Sequence, residues 1–319
     1  MSGEDRTERG LMGRTSALVV CLAVVVAACG GTSASPTSSP NKAKDDVFPV
    51  TIPAANGEVA VASRPRSIVS LSPTATEMLF AIGARDQVVA VDDQSDYPPE
   101  APTTELSGYE PNVEAIAKYE PDLVVASSAG SLKSLSDLKI SLLVQPAATS
   151  LNDAYRQLEQ LGVATGHVAE AAEEVARIKS RIEEIVDGLS RFEDRPTYYH
   201  ELDDTYFSVT SDTFIGQVYA LVGLRNIADK ADKAGTGYPQ LSAEYIIQAD
   251  PDFIFLGDSE CCNQTPTSVA RRPGWDQISA VRNEAVIDVG DDISSRWGPR
   301  VVDLLQTVVN SISEVEPVG

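Results

Sequence analysis

The stretch NVEAIAKYEPDLVVASS, residues 112–128, returns in outline as SAEYIIQADPDFIFLGD, residues 242–258. Few letters are shared, but the order of residue types is. A residue able to cap a helix (Asn112, Ser242) is followed two positions later by a glutamate (Glu114, Glu244) and a short amphipathic run. Then come an acid, a proline and an aspartate (Glu120-Pro121-Asp122, Asp250-Pro251-Asp252) and four apolar residues. This reads as helix, turn and buried strand. A chain that writes it twice contains two related half-molecules.

Outward from the first copy, short β-rich runs alternate with helical patterns. SIVSL (67–71), QVVAV (87–91), DLVVAS (122–127) and SLLVQ (141–145) are expected strands. TATEMLFAIG is an expected helix, capped by Thr74, with Glu77 closing a capping box and Gly83 ending it. SLKSLSDLKI is expected to be another. Outward from the second copy lie the expected strands TYYHEL, FSVT and AVIDV (285–289), the helix SDTFIGQVYALVGL closing at Gly223, and a terminal helix from Pro299. Such alternation implies βαβ units and mostly parallel sheets.

Between the halves, Val168, Ala171, Ala172, Val175, Ile178, Ile182, Ile185, Val186 and Leu189 fall at three-to-four spacing. That is one amphipathic helix, about 33 Å long for about 22 residues. The expected fold is α/β, two Rossmann-like βα lobes joined by a single long α-helix. Residues 64–166 make the first lobe, 167–190 the linker helix and 191–319 the second lobe.

The N-terminus has another character. An apolar run from Ala17 to Ala28, behind Arg14, is too short to span a bilayer and reads as a signal-peptide core over residues 1–28. Val26-Ala27-Ala28-Cys29 resembles a lipobox, so Cys29 is the expected lipidation site. Met12 would make a more ordinary start than Met1. Residues 29–63 are expected to be a lipid-anchored flexible tether; the Ser- and Pro-rich part, 30–46, cannot bury a core and would reach about 20–25 Å as a coil. The expected place is the outer face of the cell membrane.

Formal net charge is −22, which disfavours nucleic acid, whose phosphates need a basic surface. Cys261-Cys262 would remain after Cys21 is cleaved away and Cys29 lipidated, and outside the cytoplasm the pair is expected to close as a vicinal disulfide. His167 and His200 stand apart and cannot build a metal site with several histidines. No G-x-S-x-G, H-E-x-x-H or G-x-x-x-x-G-K occurs, and Asp92-Asp93 and Asp203-Asp204 read as solvated loop acids. An enzyme, and therefore any catalytic residue, is not expected, nor is a protein-held metal or a cofactor.

In a right-handed βαβ unit the helix starts near the carboxyl edge of the strands, where open α/β sheets bind ligands. Glu114 and Glu244 fall in the first turns of such helices. Acids there gain about 0.3–1 kcal/mol from the helix dipole in any protein. Their common offset in two lobes points instead to a two-point docking surface for arginines on a partner with two similar subunits.

Taken together, IVSLSPTATEMLFAIGARDQVVAVDDQSDYPPEA (68–101), GYEPNVEAIAKYEPDLVVAS (108–127), YPQLSAEYIIQADPDFIFL (238–256) and RWGPRVVDLL (296–305) resemble the substrate-binding proteins of ABC importers for cobalamin, ferric siderophores and haem. The resemblance implies two α/β lobes on one long helix with a metal chelate between them. It implies that Glu114 and Glu244 dock on a permease dimer with its ATPase subunits. A monomer is expected, and a stiff helical hinge predicts little lobe motion. Tyr109 and Tyr238 match positions lined by Trp in cobalamin binders, and Tyr206 lies near a third. Trp297 sits in the last loop, with Trp275 a lesser cleft candidate. Arg296 is expected to meet a ligand oxygen or Asp292. A corrinoid is the leading guest. A ferric siderophore, haem, or a non-transport surface adhesin or accessory binder of the same fold are the alternatives.

Overall fold

The repeated phrase folds the same way twice. In a computed structural model, residues 47–189 and 195–314 are described. The expected signal peptide, Cys29 and residues 30–46 lie outside them. The described part opens with a hairpin, β1 (Val50–Ala54) and β2 (Gly57–Val61). The first lobe then runs β3 (Ile68–Leu71), α1 (Pro73–Ala81), β4 (Val88–Val91), α2 (Val113–Ala117), β5 (Leu123–Ala126), a 3-10 helix over Gly130–Leu138 and β6 (Ser141–Val144). Two helices follow, α3 (Leu151–Thr165) and α4 (Val168–Asp187). The second lobe has β7 (Thr197–Glu201), α5 (Phe214–Leu221), β8 (Arg225–Asn226), α6 (Ala243–Ala249), β9 (Phe253–Leu256), short helices α7 (Pro266–Ala270) and α8 (Ser279–Arg282), β10 (Val286–Asp288), α9 (Asp291–Ser295) and α10 (Val301–Glu314).

Each lobe has its own four-stranded parallel sheet, ordered β4-β3-β5-β6 and β8-β7-β9-β10. Counted within each lobe, both orders are second, first, third, fourth. Strands β5 and β9 are buried along their whole length, as parallel strands covered on both faces must be.

The acid-Pro-Asp phrase has one job in both lobes. Glu120 and Asp250 take left-handed conformations (φ 47° and 45°) that end their helices. The following aspartate then ties the start of the third strand to that of the first. Asp122 accepts from the backbone N–H groups of Arg66 (2.7 Å) and Ser67 (3.1 Å). Asp252 accepts from the N–H (2.7 Å) and hydroxyl (2.8 Å) of Thr197. Asn112 and Ser242 cap α2 and α6 through the N–H groups of Ala115 (2.9 Å) and Tyr245 (3.2 Å). Gly83 and Gly223, at φ 80° and 81°, follow α1 and α5 in the left-handed conformation a side chain would strain.

Helix α4 buries Ala171, Val175, Ile178, Ile182 and Ile185 and packs against α3 and α10. Its length is about 30 Å. The residues before and after it therefore stay in separate sheets.

Six expectations are corrected. Asp92 is not a solvated loop acid but is buried, and that burial pushes its carboxyl up to about 6. The tether does not extend to residue 63, because Ile52, Val59 and Val61 are buried in the core and β2 lies against β6. Ser72, not Thr74, caps α1, accepting from Ala75 N–H, so Glu77 closes no capping box. The SLKSLSDLKI segment winds as a 3-10 helix. FSVT joins no sheet beyond one bridge from Phe207 to Gln240. Helix α3, absent from the expected elements, packs along α4.

Candidate functional site

The expected site residues sit on loops after the carboxyl ends of the strands, as open α/β sheets require. The loop after β4 carries Tyr97, 42% exposed with its pair of prolines behind it, and then Tyr109, 93% exposed. The loop after β7 carries Tyr206, half-buried with its backbone at φ 69°. Tyr238, 47% exposed, precedes α6. Glu114 and Glu244 are exposed in the first turns of α2 and α6.

The lobes meet through a buried ion cluster that the sequence reading did not anticipate. Glu77, on α1 of the first lobe, has a side chain only 1% exposed. It accepts from Arg296 Nη1 (3.1 Å), Arg300 Nε (3.0 Å) and Arg300 Nη2 (2.5 Å), all of the second lobe. Arg296 also meets Asp96 (3.0 Å), Asp292 (2.6 Å) and the carbonyl of Gln94 (3.0 Å). Of the two partners the sequence offered Arg296, it has taken Asp292. With three acids and a carbonyl around it, its guanidinium is a joint between lobes rather than a free cleft cation. Burial acts to raise the Asp96 carboxyl, but the hydrogen bond and charge of Arg296, with smaller hydrogen bonds, together outweigh it and hold the group below the ordinary range.

Trp297 joins the same seam, its indole N–H donating to Gln157 Oε1 at 2.7 Å. Gln217 of α5 donates to the carbonyl of Thr149 at 2.6 Å. A crevice of about 460 Å³ opens beside the seam, walled by Glu77, Phe80, Tyr97, Arg177, Arg300 and Asp303 among others. Tyr97 is in its lining, whereas Tyr109, Tyr206 and Tyr238 are not.

In the second lobe, Arg272 lies 5.4 Å from the Tyr206 ring centre and 4.6 Å from that of Trp275. Tyr206 and Trp275 stack at 5.7 Å. Trp275 is fully buried, so it is a core residue beneath Tyr206 and not a cleft residue. Arg272 holds Glu201 with two bonds, 2.6 and 2.5 Å, and Gln264 Oε1 with a third at 2.8 Å. Burial and the neighbouring Glu201 push the Asp258 carboxyl up to about 8. Burial lowers His200 to about 3, which leaves it a neutral imidazole; its Nδ1 pairs with the Tyr219 hydroxyl at 2.8 Å.

Cys261 and Cys262 follow β9 as free thiols, so no vicinal disulfide joins them here. Their loop is held by Asp291, which accepts from the N–H groups of Glu260 (3.0 Å) and Cys261 (2.8 Å). Among the described residues, no group of three His, Cys, Asp or Glu could hold a metal ion.

The family profile of periplasmic binding proteins matches residues 68–293, which takes in both sheets and the linker helix. The chain belongs to the periplasmic binding protein family. An ABC transporter substrate-binding lipoprotein of Bacillus subtilis, YvrC, is 33% identical over 308 residues, covering 93% of this chain and 95% of that one. A cobalamin-binding protein of Halobacterium salinarum is 32% identical over 317 residues, covering 94% and 84%. Among solved structures, the heme-binding protein RhuT of Roseiflexus superposes with a TM-score of 0.68 at 23% identity, over 78% of this chain and 98% of that one. At that identity the likeness speaks for the two-lobed fold alone.

Tyr97 and Glu77 are the residues at the lobe junction that sequence reasoning did not single out for the site. Tyr97 stood inside the quoted SDYPPEA motif, and its place between a strand and α2 was the available signal. Nothing local marked Glu77.

Proposed function

We propose that this chain is the extracytoplasmic capture subunit of an ABC importer and that its guest is a cobalamin, held between the lobes and delivered to a permease. The observation that carries this reading is the 32% identity to a cobalamin-binding protein over 94% of the chain. Exposed tyrosines on the carboxyl edges of both sheets support it, because a bulky corrinoid needs apolar faces with polar rims. Tyr97, Tyr109, Tyr206 and Tyr238 are the proposed contacts. The cobalt would arrive inside its chelate, so the protein needs no resident cofactor.

Glu114 and Glu244 would dock on two similar permease subunits that work with ATPase subunits. Cys29 would carry the lipid that keeps a monomeric protein at the outer face of the membrane. The joint at Glu77 favours small lobe motion, since wide opening would strand a buried carboxylate. Titration of the purified chain with cyanocobalamin, haemin and a panel of ferric siderophores, followed by intrinsic fluorescence, tests the reading. Quenching by cyanocobalamin at the lowest concentration is expected. Tight binding of haemin or a ferric siderophore with no response to cyanocobalamin would overturn the choice of guest.

A further inference from the structure

Two tyrosines at the carboxyl edges, one per lobe, have a guanidinium against the ring. Arg300 lies 4.2 Å from the ring centre of Tyr97, and Arg272 lies 5.4 Å from that of Tyr206. Each arginine is pinned by two bonds to one buried glutamate. Arg300 holds Glu77 at 3.0 and 2.5 Å, and Arg272 holds Glu201 at 2.6 and 2.5 Å. Buried ion pairs are weak contributors to stability, because desolvation offsets much of their attraction. Geometry is what a bidentate pair does supply, since it fixes the guanidinium plane and with it the ring resting on that plane. Tyr206 also holds a left-handed backbone conformation, φ 69°, that a bulky side chain rarely adopts.

The two units differ in where their parts come from. Glu201, Arg272, Tyr206 and the underlying Trp275 all belong to the second lobe. Tyr97 and Glu77 belong to the first lobe, but Arg300 reaches them from the start of α10 in the second. The first unit therefore exists only while the lobes keep their register.

We infer that the guest rests on two unequal platforms: a permanent one at Tyr206, built by Arg272 within the second lobe, and a conditional one at Tyr97, built by Arg300 across the lobe junction. Arg272 and Arg300 are positioning residues in this scheme. Prising the lobes apart withdraws Arg300, frees the Tyr97 ring and dismantles the first-lobe face, while the Tyr206 face stays intact. Release then begins at the first lobe and needs no rearrangement within the second. The inference rests on the reading that a guest sits between the lobes, but not on which guest it is.

The test uses the full chain with ring-labelled tyrosine, observed by NMR and assigned with Tyr97→Phe and Tyr206→Phe. The double variant Glu77→Gln/Arg300→Met removes one charge of each sign, so the net charge is unchanged. Its Tyr97 ring signal is expected to shift and sharpen toward a mobile ring, while Tyr206 stays where it was. The dissociation rate of cyanocobalamin should rise about two- to fivefold, the worth of one half-exposed cation–π contact. Glu201→Gln/Arg272→Met should do the reverse, moving Tyr206 and sparing Tyr97. Should the first double variant fail to fold, Arg300→Lys keeps a charge on Glu77 but removes the planar stack, and the same ring shift is expected. Movement of both rings together, or of neither, overturns the proposal. If the native chain ignores cyanocobalamin while the rings respond separately, the choice of guest falls and the platforms stand.

Discussion

Glu77→Gln should loosen the joint between the lobes at a measurable cost. The wild-type carboxylate is 1% exposed and accepts three charge-assisted bonds, one from Arg296 and two from Arg300. Removing one partner of a buried ion pair costs about 3–5 kcal/mol, because the other charge is left desolvated. Here the loss is shared unequally. Arg296 keeps Asp96, Asp292 and the Gln94 carbonyl, so its desolvation stays compensated. Arg300 loses at least one of its two bonds, but its side chain is 14% exposed and can turn partly toward water. The glutamine carbonyl retains one acceptor. These terms place the net loss near the lower bound, about 3 kcal/mol. Equilibrium urea unfolding of wild type and variant measures it as a lower midpoint at unchanged slope. A cycle with Arg300→Met separates the pair from packing, with a coupling of about 2 kcal/mol expected. A loss under about 1 kcal/mol, or additive single variants, would refute the claim that this carboxylate holds the lobes together.

Asp258 makes stability depend on pH. Both its carboxyl oxygens are buried beside the Glu201 carboxyl, and its folded value of about 8 lies above the ordinary 3.8. The folded state therefore binds the extra proton, and stability is lost as pH rises from about 4 through about 8; urea midpoints across that range should show it, and Asp258→Asn should flatten the slope, an unchanged slope counting against the assignment. Glu114→Lys and Glu244→Lys should abolish uptake by cells while leaving guest affinity of the purified chain unaltered, and uptake at wild-type rates would remove the docking role. Gly216→Ala would drive a methyl group onto the Thr210 carbonyl and the Ser211 backbone, neither of which can swing away. It should cost about 2–3 kcal/mol, read as a lower melting temperature, and a variant that melts with wild type would contradict the close approach.

Much of the local structure around the candidate site was legible because it was written locally. Asn112 and Ser242 announce their helices, and the glutamates two positions later follow into the first turn whatever the rest of the chain does. Tyr109 and Tyr238, expected as cleft residues, stand just ahead of those helices and are exposed. Arg296 was legible only in part: Asp292 lies four residues away and could be named, but Glu77 lies 219 positions back and could not. Trp275 and Tyr206 illustrate the same limit. Both are aromatic residues in the second lobe, and only their stacking order decides that one is core and the other its cover.

The hairpin at residues 50–61 shows why composition misled. A polar, proline-bearing segment beside a true low-complexity stretch reads as linker, yet three inward-facing residues suffice to seat it on the first lobe. By itself the sequence determined the doubled βα phrase, the helix between its copies, the caps Asn112 and Ser242, and the left-handed turns at Gly83 and Gly223. These follow from contacts between residues a few positions apart, which any chain with those letters would make. Tertiary structure alone decided that Glu77 meets Arg296 and Arg300, that Arg272 underlies Tyr206, and that the lobes are joined by buried charge as well as by a helix. Those pairings depend on distances in space between segments up to 223 positions apart, and no local pattern encodes them.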